Sequence, residues 1–233
     1  MLAEFLTVAA LAAAPSASVP HEWRGVVGRS VGGSPIRAHR LGDFSSSRTI
    51  LVVGCVHGDE CAGIAITKRL VQGPRPRELD LWVVHDLNPD GRRIGTRQNG
   101  RGVDLNRNFD SEWRPVGRRW DDDYSGPRAW SEPEARVARR LVRRIRPDVT
   151  VWYHQPQHVV RAWGDSRAAA RRYARLAREP YRSIRWLPGT APNWQNRRFP
   201  GTASFVVELR AGRLGPVAAA RHARAVRLLL PAG

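Results

Sequence analysis

A histidine and a glutamate follow the first strongly apolar run of this sequence. The β-branched run at residues 50–53 ends in Gly54, and a helix-like segment begins near residue 62, so the pattern predicts strand, loop, helix with His57 and Glu60 in the loop. In an open α/β sheet, ligands bind beyond the carboxyl ends of the strands. An imidazole and a carboxylate are two of the three protein ligands that a catalytic zinc requires. The pair alone also fits two solvated loop residues, so a third ligand is needed.

We take His154 as the third ligand because it directly follows the hydrophobic segment 148–153. His85, at the end of the apolar segment 80–87, is the reserve candidate. Taken alone, a histidine in such a position also fits a buried residue that merely finds a hydrogen-bond partner.

Two cysteines flank the first motif closely. Cys55 and Cys61 are too few to form a disulfide scaffold for 233 residues, so the core must supply the stability. Thiolates also bind zinc, which leaves a Cys/His site as an alternative. We expect instead that both are small buried residues that pack the strand end and the first helical turn.

Strands and helices alternate along the chain. The patterns predict an opening hairpin at 23–27 and 36–41, strands at 50–53, 80–87, 148–153 and 202–207, helices at 62–72, 131–145, 166–178 and 216–230, and irregular segments at 92–128 and 188–200. This alternation favours an α/β fold, with a mostly parallel sheet covered on both faces. His57, His154 and Glu208 each lie at or just beyond a predicted strand end, and such ends can meet in one cleft.

Six motifs follow one another in an order known from one enzyme family. They are His57-x-x-Glu60, Asn-Pro-Asp-Gly at 88–91, Asp-x-Asn-Arg-Asn-Phe at 104–109, Ser-Glu-x-Glu at 131–134, the strand-terminal His154, and Glu-Leu at 208–209. Each motif is ordinary alone, but all of them in register are specific. From residue 54 to 210 the sequence resembles the M14 family of zinc carboxypeptidases. The resemblance implies a zinc carboxypeptidase-like three-layer α/β/α sandwich around a mixed, mostly parallel sheet.

The resemblance also implies one Zn²⁺ per chain. Its ligands would be His57, Glu60 and His154. Asp104 would orient the ring of His57, since a carboxylate behind a metal-binding imidazole fixes its tautomer.

Four further residues receive roles from the resemblance. Glu208 would act as the general base and Arg97 would polarise the scissile carbonyl. Asn106 and Arg107 would bind the terminal carboxylate of the substrate, to which a guanidinium offers a bidentate pair. Arg101 is the alternative to Arg97, which has the spacing before Asn106 that the family shows.

The segment 189–194 should form the floor of the pocket for the released residue. It contains no acidic side chain, which argues against a preference for terminal Lys or Arg. The sequences at residues 54–60 and 189–202 resemble those of the bacterial branch that includes murein peptide amidases. Those enzymes cut the bond between γ-D-glutamate and meso-diaminopimelate. Other members of the family close a mobile tyrosine over the substrate, and Tyr181 does not align convincingly with it.

The sequence is strongly basic, with 39 Lys and Arg against 21 Asp and Glu and a net charge of +18. Such charge attracts polyanions. No nucleic-acid-binding motif accompanies the arginines, so we expect them to be dispersed over a solvated surface and expect no specific nucleic-acid partner.

We therefore expect a hydrolase that cuts the amide bond before a C-terminal residue. Its partner would be a peptide with a free terminal carboxylate, with murein peptides favoured over ordinary peptides. A general carboxypeptidase is one alternative, and a zinc-binding basic protein that holds wall polymer or nucleic acid without turnover is another. A zinc deacylase fits the Arg and Asn set less well.

Residues 1–20 resemble a secretion signal without its basic start. Residues 21–233 would then form one catalytic domain. Their apolar stretches are too short for a membrane span. We expect a secreted or wall-associated protein, or a cytoplasmic one if the N-terminal segment is retained.

Overall fold

Eight strands form one mixed sheet. The computed structural model describes residues 22–230, so the signal-like segment at 1–20 lies outside the described residues. The strands are β1 Glu22–Arg29, β2 Pro35–Gly42, β3 Thr49–Val53, β4 Asp80–Val84, β5 Val149–His154, β6 Gln157–Ala162, β7 Tyr181–Ser183 and β8 Ala203–Arg210. Their order across the sheet is β1-β2-β4-β3-β5-β8-β6-β7. The central four, β4, β3, β5 and β8, are parallel, whereas β1, β2 and β6 pair antiparallel with their neighbours β2, β4 and β8.

Six α-helices accompany the sheet within residues 22–230. They are α1 Gly63–Gln72, α2 Pro89–Ile94, α3 Pro133–Ile145, α4 Arg167–Ala177, α5 Ala191–Arg198 and α6 Pro216–Arg227. The predicted α/β class with a mixed, mostly parallel sheet is confirmed.

Adjacent residues of β5 show the two covered faces of the sheet. The Trp152 ring lies 6.1 Å from that of Phe109, whereas the Tyr153 hydroxyl lies 2.7 Å from that of Tyr173 on α4. Successive side chains of a strand point to opposite faces. One face therefore packs on the Phe109 segment, and the other packs on α4. All of these side chains are fully buried, so the core occupies both interfaces.

Four elements differ from the expectations. The segment predicted as a loop at 188–200 contains α5, whose Trp194 ring packs 5.9 Å from that of Phe109. The Asn-Pro-Asp-Gly motif at 88–91, where no helix was predicted, opens α2, and the Asn88 side chain accepts a hydrogen bond from the Gly91 N–H. The short strands β6 and β7 were not predicted at all. Pro192 suits the first turn of α5, and tertiary packing of Trp194 stabilises the helix despite the weak helix propensity of its two Asn residues.

Within residues 22–230, no helix combines the length and apolarity that crossing a bilayer requires. The assignment of residues 21–233 to one catalytic domain stays a prediction.

Candidate active site

The parallel strands bring the predicted site residues to one edge of the sheet. His154, the last residue of β5, is paired in register with Glu208 on β8. The chain leaves the neighbouring strand β3 at Val53 and turns through residues 54–62, where His57 and Glu60 lie. Residues about 150 positions apart in sequence therefore become neighbours at the carboxyl ends of the strands, where open α/β sheets bind ligands.

His57, Glu60 and His154 converge on a single point. Nδ1 of His57 lies 2.9 Å from Oε2 of Glu60 and 3.1 Å from Nδ1 of His154, and this second ring nitrogen is 3.0 Å from the same carboxylate oxygen. All three residues are buried. Among the residues that the structure describes, they form the group whose ligand atoms could hold a metal ion.

The donor set fits zinc. A tetrahedral Zn²⁺ with bonds of about 2.0 Å holds its ligand atoms about 3.3 Å apart. The three separations here are 2.9, 3.0 and 3.1 Å, so the ligand atoms would have to move apart by only a few tenths of an ångström to admit the ion. Two imidazole nitrogens with one carboxylate oxygen also match the ligand preference of a catalytic zinc site.

Asp104 holds the ring of His57 from behind. Its Oδ1 lies 2.9 Å from Nε2 of His57 and also accepts the Asn106 backbone N–H at 2.7 Å. With Nε2 occupied, Nδ1 is the nitrogen that His57 presents to Glu60 and His154. Asp104 is fully buried and begins a single 3₁₀ turn at Leu105–Arg107, which fixes the direction of its carboxylate.

Arg97 connects two of these carboxylates. Its Nη1 donates to Oε1 of Glu60 at 2.6 Å, and its Nη2 donates to Oδ2 of Asp104 at 2.8 Å. Each of these nitrogens carries two N–H groups. The guanidinium therefore positions both acids while it keeps donors for a substrate oxygen, and it lines the cavity beside Glu60.

The charges around the buried acids keep them ionised. Burial alone would raise the pKa of Asp104, but the charges of His57 and Arg97 lower it well below its usual range. Burial likewise opposes ionisation of Glu60, and hydrogen bonds from His154 and His57 lower its pKa despite that. Both carboxylates are therefore available in the form that a cation requires.

Glu208 has a different environment. It is buried, and its Oε2 has no hydrogen-bond partner among residues 22–230. Burial raises the pKa of its carboxyl, although the nearby charge of His154 acts in the opposite direction. A carboxylate with an unpaired oxygen and a raised pKa, facing a cleft, has the properties of a general base.

Asn106 and Arg107 line the same cavity. Oδ1 of Asn106 accepts the Ala191 N–H at 2.9 Å, which leaves the side-chain NH₂ for a ligand. Nη1 of Arg107 donates to the Asn106 carbonyl at 2.9 Å, and its nearest carboxylate oxygen, on Asp104, is 3.9 Å away. The Arg107 guanidinium is therefore held in place without being neutralised.

The cavity encloses about 210 Å³ and contains every residue predicted for the site except Asp104, which lies behind His57. Thr190 and Pro192 line it, as expected for the segment 189–194. Sequence reasoning missed several of its lining residues, namely Gln155, Pro156, Gln157, Arg161, Trp186, Leu187 and Val206. Arg161 lies on β6, a strand that was not predicted.

The alternative residues lie elsewhere. His85 bonds to Thr67, and the Arg101 side chain is 54% exposed beside Glu132; neither lines the cavity. Tyr181, on β7, does not line it either. Cys55 and Cys61 form a disulfide, so they are neither the free packing residues that we expected nor thiolate ligands.

The expectation of dispersed positive charge is wrong for one surface. A larger cleft of about 820 Å³ lies along α3, where five arginines line it together with Trp23 of β1: Arg136, Arg139, Arg140, Arg143 and Arg144. They recur at a spacing of three and four residues, which places them on one side of the helix. No residue predicted for catalysis lines this cleft.

Comparison with known proteins agrees with the geometry of the site. The sequence profile of the zinc carboxypeptidase family, Peptidase_M14, matches residues 16–202. The chain belongs to the M14 zinc carboxypeptidase family. The match includes His57, Glu60 and His154 but ends before Glu208, so the position of Glu208 rests on the structure.

Curated members of this family match part of the chain. Murein peptide amidase A of Escherichia coli K12 is 31% identical over 140 residues, and that of Vibrio campbellii is 32% identical over 140 residues. The first match covers 55% of this chain and 57% of the relative, so the chain spans little more than half the length of that relative. Carboxypeptidase SOL1 of Arabidopsis thaliana is 28% identical over 144 residues, covering 55% of this chain and 28% of the relative.

Solved structures of the M14 fold resemble almost the whole chain. The murein-tripeptide amidase MpaA of Escherichia coli O157 superposes with a TM-score of 0.71 at 24% identity, covering 91% of this chain and 93% of that one. The carboxypeptidase A of Helicoverpa armigera gives a TM-score of 0.76 at 18% identity, covering 89% and 67%. At these identities the likeness shows the fold.

Proposed function

We propose that this protein is a zinc-dependent peptidase or amidase that hydrolyses the amide bond before a C-terminal residue. The observation that carries the proposal is that one cavity gathers a cluster of three candidate metal ligands, a buried glutamate with an unpaired oxygen, and an arginine whose nearest carboxylate oxygen is 3.9 Å away. Membership of a family of zinc hydrolases supports it. The specific substrate and the identity of the metal are parts of the proposal.

His57, Glu60 and His154 would hold the zinc ion, one per chain. When bound, zinc lowers the pKa of a coordinated water to about 7 and polarises a carbonyl oxygen. Asp104 keeps His57 in the tautomer that presents Nδ1. Arg97 holds the second oxygen of Glu60, so Oε2 is the oxygen that remains directed at the two histidines.

The other residues bind the substrate and move its protons. Arg107 and the NH₂ of Asn106 bind the terminal carboxylate, which sets the scissile amide beside Glu208. Glu208 takes a proton from the attacking water and delivers it to the amine that leaves. A free N–H of Arg97 donates to the carbonyl oxygen as negative charge develops on it.

We infer that the substrate is a murein peptide cut between γ-D-glutamate and meso-diaminopimelate. The similarity to murein peptide amidases of two bacterial genera supports this, and so does the small pocket lined with polar side chains. A wall substrate is also consistent with the proposed secreted or wall-associated location. Sequencing the N-terminus of the mature protein tests that location, and an intact Met1 would contradict it.

The decisive experiment compares two substrate classes with purified zinc-loaded enzyme. We expect the tripeptide L-Ala-γ-D-Glu-meso-diaminopimelate to be hydrolysed with a kcat/KM at least about 10-fold above that of acetylated dipeptides with ordinary α-amide bonds. Faster hydrolysis of the dipeptides would identify a general carboxypeptidase instead.

A variant tests the chemistry independently of the substrate. Glu208→Gln should keep stoichiometric zinc but lose hydrolysis by about 100-fold or more, because an amide cannot accept the proton of water. Glu78→Gln is the control, since Glu78 is exposed and pairs with Arg48 away from the cavity. Equal activity in the wild type and Glu208→Gln would remove the proposed base. Zinc-independent binding of wall polymer without any hydrolysis would favour a binding protein.

A further inference from the structure

Arg161 extends from the sheet into the cavity that contains the proposed metal ligands. It lies on β6 opposite Val206 of β8, and Val206 and Glu208 are two residues apart on that strand. Residues paired across a sheet, and residues two apart on a strand, share one face. Arg161, Val206 and Glu208 therefore lie side by side, and all three line the cavity.

The guanidinium of Arg161 makes few close polar contacts, although most of the side chain is buried. Its side chain is 18% exposed, and its nearest carboxylate oxygen, on Glu208, is 3.7 Å away. Nη1 donates to Gln157 at 3.3 Å, and the buried Nε has no partner among the described residues.

Arg40, in the same sheet, provides the contrast of a guanidinium that is bound by both oxygens of one carboxylate. Its Nε and Nη2 bind both oxygens of Asp80 at 2.8 and 3.0 Å. A guanidinium has five N–H donors, and a planar carboxylate is the ligand that uses two of them at once. Arg161 has that capacity unused.

The walls around Arg161 provide no competing acid beyond those that already have roles. The acidic residues that line the cavity are Glu60 and Glu208. The remaining wall on this side consists of Trp186, Leu187, Thr190 and Val206, which carry no charge. A ligand group that enters here therefore meets a guanidinium whose nearest carboxylate oxygen is 3.7 Å away, in a partly apolar setting where a charge-assisted hydrogen bond is strong.

We propose that Arg161 binds a carboxylate carried by the side chain of the residue that is released. The proposal rests on the proposed function and names a preference within it. Arg107 binds the α-carboxylate of the released residue, whereas Arg161 binds a second, distal carboxylate on its side chain. meso-Diaminopimelate has such a group, and lysine is the same molecule without it. The site therefore selects diaminopimelate over lysine, and Glu over Gln.

The test is a ratio of rates for paired substrates that differ in this one group. The first pair is L-Ala-γ-D-Glu-meso-diaminopimelate and L-Ala-γ-D-Glu-L-Lys; the second is acetyl-Ala-Glu and acetyl-Ala-Gln. For the wild type, we expect kcat/KM to favour the member with the distal carboxylate. In Arg161→Leu that preference should fall by about 10- to 100-fold, the effect of losing a hydrogen bond to a charged group. Arg161→Lys should retain part of it.

The ratio separates recognition from other effects. If Arg161 only positioned Glu208, its replacement would slow both members of each pair equally, and an unchanged ratio would overturn the proposal. Arg182→Leu is the matched control, because Arg182 faces Arg161 from β7 but is exposed and does not line the cavity. Its ratio should equal that of the wild type.

The second pair keeps the two proposals distinguishable. If only the ordinary dipeptides are hydrolysed, the murein substrate is wrong, while the Glu to Gln ratio still tests Arg161. If neither pair is hydrolysed by the zinc-loaded enzyme, the proposed function fails and the role of Arg161 fails with it.

Discussion

Oδ1 of Asp104 lies 2.9 Å from Nε2 of His57, on the side of the ring opposite Glu60 and His154. The same carboxylate takes two hydrogen bonds from Arg97, whose other end holds Glu60. The candidate metal-binding cluster is thus supported by a buried acid and an arginine that connect its proposed ligands. The geometry of the cluster should depend on residues that touch no metal.

Asp104→Asn tests this dependence. The amide no longer fixes the tautomer of His57 and leaves Arg97 without its buried carboxylate, so we expect zinc affinity to fall about 10- to 100-fold. Titration of the metal-free protein with zinc measures it. Asp80→Asn breaks a comparable ion pair with Arg40 outside the site and should bind zinc as the wild type does. Similar affinities for Asp104→Asn and the wild type would show that Asp104 is dispensable.

Gly189 couples the pocket floor to Arg107, the arginine proposed to bind the substrate. Its φ is +72°, and a Cβ there would lie 2.2 Å from the carbonyl oxygen of Arg107. Gly189→Ala should therefore displace Arg107 and raise KM, besides a cost of about 1 kcal/mol for the left-handed backbone. Gly201→Ala has a similar φ of +86° with open space around it, and it should lose stability without a change in KM. Equal KM values for the two variants would contradict the coupling.

Arg107 and Arg101 should differ sharply in function. Arg107 lines the cavity and has no close carboxylate partner, so Arg107→Ala should raise KM by about 10- to 100-fold through loss of a charge-assisted bond. Arg101 lies outside the cavity, and Arg101→Ala should leave steady-state kinetics unchanged. A larger effect from Arg101 would mean that the terminal carboxylate binds elsewhere.

His222 should make the fold sensitive to acid. Burial lowers the pKa of His222 from 6.5 to about 4, although Glu179 acts in the opposite direction. Between these two values the unfolded chain binds more protons than the folded one, so the free energy of unfolding falls as the pH falls, by about 3 kcal/mol in total. Urea denaturation at pH 4 to 7 measures this loss. His222→Gln should show a shallower dependence; an identical slope would assign the acid sensitivity to other groups.

Much of the site could be predicted because its chemistry lies in short motifs at strand ends. The residues at 57, 60, 154 and 208 each follow an apolar run, and parallel strands bring such positions together. The segment 104–107 was recognisable because Asp, Asn and Arg recur there in a fixed order. Local sequence was sufficient for these residues.

The parts that were missed depend on contacts between distant segments. Arg161 enters the cavity only because β6 pairs with β8, and the sequence 157–162 has just two β-branched residues, so it shows no clear strand pattern after Pro156. Helix α5 begins with Pro and Asn and is stabilised by the packing of Trp194 on Phe109 and Trp130. The pairing of Cys55 with Cys61 follows from how the loop folds back, which their spacing alone does not specify.

The central claim is that His57, Glu60 and His154 bind one zinc ion together. The most direct measurement is the zinc-to-protein ratio after metal-free protein is loaded and dialysed. We predict one zinc per chain for the wild type and less than about 0.1 for folded His57→Ala/His154→Ala, since one carboxylate alone does not retain the ion. A full equivalent of zinc in that double variant would contradict the account.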